Sequence, residues 1–318
     1  MTKSLEDKLD KIPVINILVR FLKKLKLPGL EGLSFYDLIV LYITGIVKGA
    51  LTTRASAIAF SFFTAIFPFL LFVLIIIPYV PIDDFKIEFL QFLESFLPPS
   101  TSDFFFENIF ENIDQSQRGG LLSSVFVLSI ALMANGVNAV FSGFENSYHE
   151  QLTRNVFKQY IYALGIALIL AFLLIITIIV LGYIQIYVVQ GLLHALEDRG
   201  YQVDSEGVFW TNIVQYLFFV VMVYIATATL YYFGTREGRE SNFFSVGALF
   251  TTLLIILTSY LFGIYIENFG QYNKLYGSIG ALLILLFYLW LNANILLLGY
   301  ELNASLQFLK KYPRETLE

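Results

Sequence analysis

Six stretches of this 318-residue chain are apolar over about the length of a bilayer, and nothing else in the sequence restricts the fold as strongly. A hydrocarbon core about 30 Å thick is crossed by roughly 20 mainly apolar residues in a helix. Such runs lie at 121–141, 161–189, 208–233, 243–266 and 278–298, and another at 55–80 contains Pro68 and Pro78. Lipid offers the backbone no hydrogen bonds, so each run must pair its own N–H and C=O groups and be helical. The expected fold is an all-α integral membrane protein: a bundle of six transmembrane helices with amphipathic interfacial helices at both surfaces. Residues 36–50 reach Lys48 too soon to span. They read as an interfacial or partly re-entrant helix leading into the first span, with a seventh span as the competing reading.

Charge agrees with this layout. Only 14% of the residues are charged, against about 25% in ordinary soluble domains. The basic residues also sort by side. The N-terminal stretch through Arg54, the 142–160 and 234–242 loops and the C-terminus hold sixteen Lys and Arg, and the intervening segments hold four. The basic side is the cytoplasmic one, so both termini are expected in the cytoplasm of a bacterial cell, with the chain multi-pass in its inner membrane. The short apolar stretch at 12–19 runs into Arg20, Lys23, Lys24 and Lys26 rather than a small-residue cleavage site, so no cleaved signal is expected.

Three regions follow. Residues 1–34 form a basic amphipathic cytoplasmic segment, in which Val14, Ile15, Leu18, Phe21, Leu22 and Leu25 oppose the basic side chains. Such a helix suits an anionic leaflet, so membrane lipids are the expected partner. Residues 35–308 form the six-span membrane domain, with an outer amphipathic loop at 81–120. That loop carries two apolar stripes, Phe85, Phe89, Phe92, Leu93 and Phe96, then Phe104, Phe105, Ile109, Phe110 and Ile113. Residues 309–318 are a cytoplasmic tail.

Polar residues at membrane depth are expensive, and they fall here into helical stripes. Arg54, Ala57, Ser61, Thr64 and Pro68 are spaced three or four apart and share one face of the first span. Asn135, Asn138, Ser142 and Glu145 do the same in the second, and Asn294 and Glu301 lie seven apart in the last. Asn292, Gly299 and Asn303 make a different face of that last helix. Small and polar residues of this kind also pack helices together in lipid, so a polar pathway and a packing seam both remain open readings. Arg54, Glu145 and Glu301 sit near the cytoplasmic ends of their spans and are expected to form one charged cluster there, with Arg54 pairing with Glu145 or Glu301.

The sequence excludes several chemistries. There is no cysteine, hence no disulfide, thiolate metal site or thiol nucleophile. The two histidines, His149 and His194, fall on opposite sides of the membrane in this topology. No phosphate-binding loop, metalloprotease motif or dinucleotide fingerprint is present. No catalytic residue, cofactor-binding residue or metal ligand is therefore nominated, and the net charge of −5 gives no reason to expect nucleic acid as a partner.

Two segments resemble a known family. Arg54-Ala55-Ser56-Ala57-Ile58-Ala59-Phe60, running on to Phe67-Pro68, is similar to the first-span signature of the YihY/BrkB family of bacterial membrane proteins. Tyr276-Gly277-Ser278-Ile279-Gly280-Ala281 and Gly299-Tyr300-Glu301-Leu302-Asn303-Ala304 resemble its C-terminal signature. The resemblance implies six spans and an inner-membrane location. It also brings an old label as a tRNA-processing ribonuclease, a label as a virulence factor, and a link of some members to export of lipid or lipopolysaccharide precursors. The expected function is transport or flipping of a lipid-like or amphipathic substrate, with a non-transporting scaffold of the cell envelope as the alternative.

Overall fold

A computed structural model describes residues 13–26, 34–36, 39–40, 50–76, 119–145, 155–184, 205–234, 242–269 and 278–311. Seven helices of twelve or more residues fall within these segments: α1 (Pro13–Lys24), α2 (Leu51–Ile76), α3 (Gly119–Glu145), α4 (Val156–Tyr183), α5 (Ser205–Gly234), α6 (Val246–Phe269) and α7 (Ser278–Lys311). No β-strand is formed among the described residues; a single bridge joins Lys26 to Ser34. Within α3 to α7, five stretches are long and apolar enough to cross a membrane: Val127–Glu145, Phe157–Tyr183, Ile213–Gly234, Val246–Tyr265 and Leu282–Gln307. The sixth long helix, α2, has 26 residues. The outer loop at 81–118, the connection at 41–49 and the tail beyond 311 lie outside the described residues.

The helices outrun the apolar windows that announced them. An α-helix persists wherever its i→i−4 bonds can form, whereas hydropathy marks only the part inside hydrocarbon. Thus α7 continues through the polar stretch after residue 298 as far as Lys311, and α4 begins at Val156, five residues ahead of the expected span. Asn155 sets that start, because its Oδ1 accepts from the Phe157 N–H at 3.1 Å as an N-cap. The reverse occurs at α6. Ser245 Oγ accepts from the Ala248 N–H, so the helix opens at Val246 although the apolar run opens at Phe243.

Packing orders the bundle. α2 lies against α3 and α7, α3 also against α4, and α5 against α4 and α6, while α6 packs on α7. At the centre of the core Ile58, Phe141, Phe144 and Leu297 are fully buried. Phe144 stacks on Tyr300 with ring centroids 4.2 Å apart and meets Tyr231 edge-on at 5.5 Å. By contrast α4 turns Phe157, Ile161, Leu168 and Phe172 outward. An outward apolar face of this extent is what a lipid solvent allows and water does not.

A close helix approach joins α6 to α7. Gly247 and Gly299 face each other so tightly that a Cβ on either would run into the other's carbonyl oxygen. The gap is bridged by polar groups. The Gly247 N–H donates to Asn303 Oδ1 at 2.8 Å, and Asn303 Nδ2 donates to Ser245 Oγ at 2.8 Å. Nearby, Tyr231 Oη on α5 donates to the Leu296 carbonyl at 2.6 Å and lies 2.6 Å from Thr251 Oγ1. Three helices are thereby tied by side chains that hydrocarbon could not satisfy.

Candidate functional site

The charged end of the bundle is built by three helices. Arg54 stands in the first turn of α2, Gly143 in the last turn of α3, and Glu301 on α7. Arg54 Nη2 is 3.0 Å from Glu301 Oε1, and Nη1 donates to the Gly143 carbonyl at 2.7 Å. The last four carbonyls of a helix lack intrahelical donors and carry its negative dipole end. A guanidinium can serve such a carbonyl and a carboxylate at once because its N–H groups fork in a plane. Both side chains are close to dry, with 9% of Arg54 and 5% of Glu301 accessible. Arg54 Nε is buried and makes no hydrogen bond. Glu145 closes α3 two residues beyond Gly143, half-buried at the same end.

The stripes divide. On α2, Ser61, Thr64 and Pro68 are half-buried, while Ala57 is exposed. Pro68 has no N–H to give the Thr64 carbonyl, and its own carbonyl accepts from Ser129 Oγ at 2.5 Å, tying α2 to α3. Thr64 Oγ1 turns back onto the Ser61 carbonyl at 3.0 Å. On α3, Ser142 accepts from Gln159 Nε2 of α4 at 3.2 Å, so it bridges helices. Asn138 is half-buried and Asn135 is exposed. On α7, Asn294 and Asn292 each donate to the carbonyl four residues earlier, Trp290 and Tyr288 respectively. Such back-bonding serves the amide N–H groups within the helix itself, while the Asn292 Oδ1 is buried and makes no hydrogen bond.

A cavity of about 200 Å³ opens between α2, α3 and α4, walled by Phe62, Ala65, Ile66, Met133, Val137, Ala167, Leu170, Ala171 and Leu174. None of the stripe residues lines it. Among the described residues no group of three His, Cys, Asp or Glu side chains comes together.

Sequence reading set Gly299 and Asn303 on one face of α7 but missed their partners in the α5–α6–α7 seam, Tyr231, Gly247 and Thr251. A signal was available in the four-residue spacing of Gly247 with Thr251 and of Gly299 with Asn303. Small and polar residues at that spacing mark helix faces that approach closely.

Long apolar helices, buried polar ties and an outward apolar surface define the class: a polytopic α-helical membrane protein. The family model described as Virulence factor BrkB matches residues 43–317, and the chain belongs to that family. It is 26% identical over 263 residues to the ribonuclease-like protein YfkH of Bacillus subtilis (strain 168), covering 83% of this chain and 92% of that protein. A UPF0761 membrane protein of Psychrobacter sp. (strain PRwf-1) is 29% identical over 147 residues, 44% of this chain and 27% of the relative. One from Xanthomonas oryzae pv. oryzae (strain PXO99A) is 36% identical over 67 residues, 21% of this chain and 16% of its own length. No solved structure matches.

Proposed function

We propose that this protein moves a lipid-like or amphipathic molecule between the leaflets of a bacterial inner membrane. In this reading six helices, α2 to α7, span the bilayer, both termini face the cytoplasm, and α1 lies on the inner leaflet. One observation carries it: Asn135 is exposed on α3 ten residues before the end of that membrane helix, and Asn138 and Ser142 continue the same face half-buried. At 1.5 Å per residue, Asn135 stands about 15 Å from that end, near mid-bilayer. Hydrocarbon cannot satisfy an exposed amide, whereas a polar headgroup crossing the bilayer can. The ribonuclease part of the YfkH name is not carried over, because a net charge of −5 and two separated histidines suit neither RNA binding nor acid–base cleavage.

The test is protein reconstituted in vesicles containing phosphatidylglycerol with a fluorescent headgroup, whose outer leaflet is bleached by an impermeant reductant. Added protein should raise the bleached fraction above half. Asn135→Leu and Asn138→Leu should lower that gain without altering elution from a sizing column. Correctly folded protein that gives no gain with anionic or zwitterionic lipid would sink the proposal. It would favour a non-transporting scaffold, the reading supported by the polar ties of Tyr231 and Asn303.

Topology is checked separately, and the absence of native cysteine makes labelling clean. With the impermeant maleimide applied to intact cells, Ser102→Cys and Ser205→Cys should react and Ser241→Cys should not. Reaction at position 241 would reverse the orientation.

A further inference from the structure

We propose that the cavity between α2, α3 and α4 is a binding site for one hydrocarbon chain of an amphiphile, entered from the bilayer past Leu174. The site does not depend on transport: a chain can be held there whether or not the protein moves it.

The cavity has a floor and a rim. Ala65, Val137, Ala167 and Ala171 are buried at its base, while Leu174 is 40% exposed at its edge. Three of those floor residues are alanines on two different helices. Small residues ordinarily let membrane helices close on one another, but here Phe62, Ile66, Met133 and Leu170 share the wall with these alanines and a cavity remains among them. The result is a recess of about 200 Å³ with an apolar wall.

Its depth selects the occupant. Ala65 is fourteen residues into α2 and Leu170 fourteen residues into α4, counted from Leu51 and Val156. That is about 21 Å of rise from each helix start, near the middle of a hydrocarbon core about 30 Å thick once the first turns are placed at the interface. Water needs two to four polar partners to remain in a cavity, and every side chain in this wall is apolar. A void would forfeit dispersion contacts on all sides, and an apolar cavity of about 150 Å³ in a soluble protein already takes up small hydrocarbons. At this depth the molecule at hand is the middle or end of an acyl chain. Transfer from lipid brings no hydrophobic gain, so contact with the walls alone holds the chain, and selection is by width.

The experiment uses the full chain in vesicles of phosphatidylethanolamine and phosphatidylglycerol. Each carries a small fraction of a phospholipid with a diazirine either at mid-chain or beside the ester carbonyl. On illumination the mid-chain probe should label Met133, Leu170 and Leu174, saturating as its fraction rises, and the carbonyl-side probe should not. Labelling of Phe172, on the outer face of α4 and 65% exposed, should rise without saturation. Ala167→Phe and Ala171→Phe should abolish the cavity labelling and leave Phe172 unchanged. Should both variants fail to fold, Ala171→Val replaces them, with partial loss expected. Cavity labelling that fails to saturate, like that of Phe172, would reduce the site to ordinary lipid contact and overturn the proposal. So would labelling indifferent to the filling variants. Absent labelling, with Ala171→Val raising thermal stability, would show an empty void and overturn it equally.

Discussion

Gly247→Ala should sharply lower the thermal unfolding midpoint in detergent. A Cβ there meets the Gly299 carbonyl oxygen and the Asn303 amide. A backbone oxygen cannot rotate aside, so α6 and α7 must separate. Separation stretches the Gly247 N–H bond to Asn303 and the Asn303 bond to Ser245, now both 2.8 Å. Overpacking costs about 1–3 kcal/mol and each lost buried hydrogen bond about 1 kcal/mol more, so a loss of roughly 3 kcal/mol or above is expected. Gly299→Ala should behave alike, because its Cβ meets Thr251 Oγ1, Tyr231 Oη at 2.6 Å and the Gly247 carbonyl at 2.9 Å. The control is Gly165→Ala on the exposed face of α4, where nothing lies within 4 Å of an added Cβ. Alanine outranks glycine in a helix by about 1 kcal/mol, so this variant should hold or raise the midpoint. Equal behaviour of Gly247→Ala and Gly165→Ala would mean that α6 and α7 do not approach as described.

Arg54→Ala should be the second severe substitution. It removes the guanidinium that pairs with Glu301, whose side chain is only 5% accessible, and the donor to Gly143. Removing one member of a buried ion pair costs about 3–5 kcal/mol. Glu301→Ala leaves the guanidinium with Gly143 alone. The double variant Arg54→Ala with Glu301→Ala should therefore lose less stability than the two single losses added together. Strict additivity would show that the two side chains do not interact. Arg54→Lys should rescue only in part, because a single ammonium does not reproduce a fork that reaches both an acid and a carbonyl. Salt separates a dry pair from a wet one. An exposed pair weakens as the Debye length falls from about 10 Å to 3 Å between 0.1 and 1 M, and a buried pair barely responds. The Arg54–Glu301 coupling should persist at 1 M salt.

The charged end shows how far sequence reading reaches. Helical spacing is enough to set Arg54, Ser61 and Thr64 on one face, because the 3.6-residue period is local. It also puts Glu301 near the end of its helix. It does not say that α2 and α7 are neighbours, and Arg54 and Glu301 are 247 residues apart in the chain. The same limit hid the Gly247–Gly299 crossing, in which each half is an ordinary glycine until the other helix is placed beside it. Asn135 and Ser142 share a face by spacing, yet one ends exposed and the other bonded to Gln159.

Membrane helices themselves were legible because the rule that makes them is local. Without water, a run of about 20 apolar residues satisfies its backbone within itself or not at all, and the residues in the run decide its length. Helix ends were less legible, since a cap such as Asn155 or Ser245 overrides hydropathy by a single hydrogen bond. Only the tertiary structure decided which helices touch, which polar atoms meet, and that three alanines on α2 and α4 would stand apart around a cavity. In lipid, apolar surfaces gain nothing merely by leaving the solvent, so helix pairing is set by shape and by a few polar contacts. Those depend on residues far apart in the chain, and no single segment contains them.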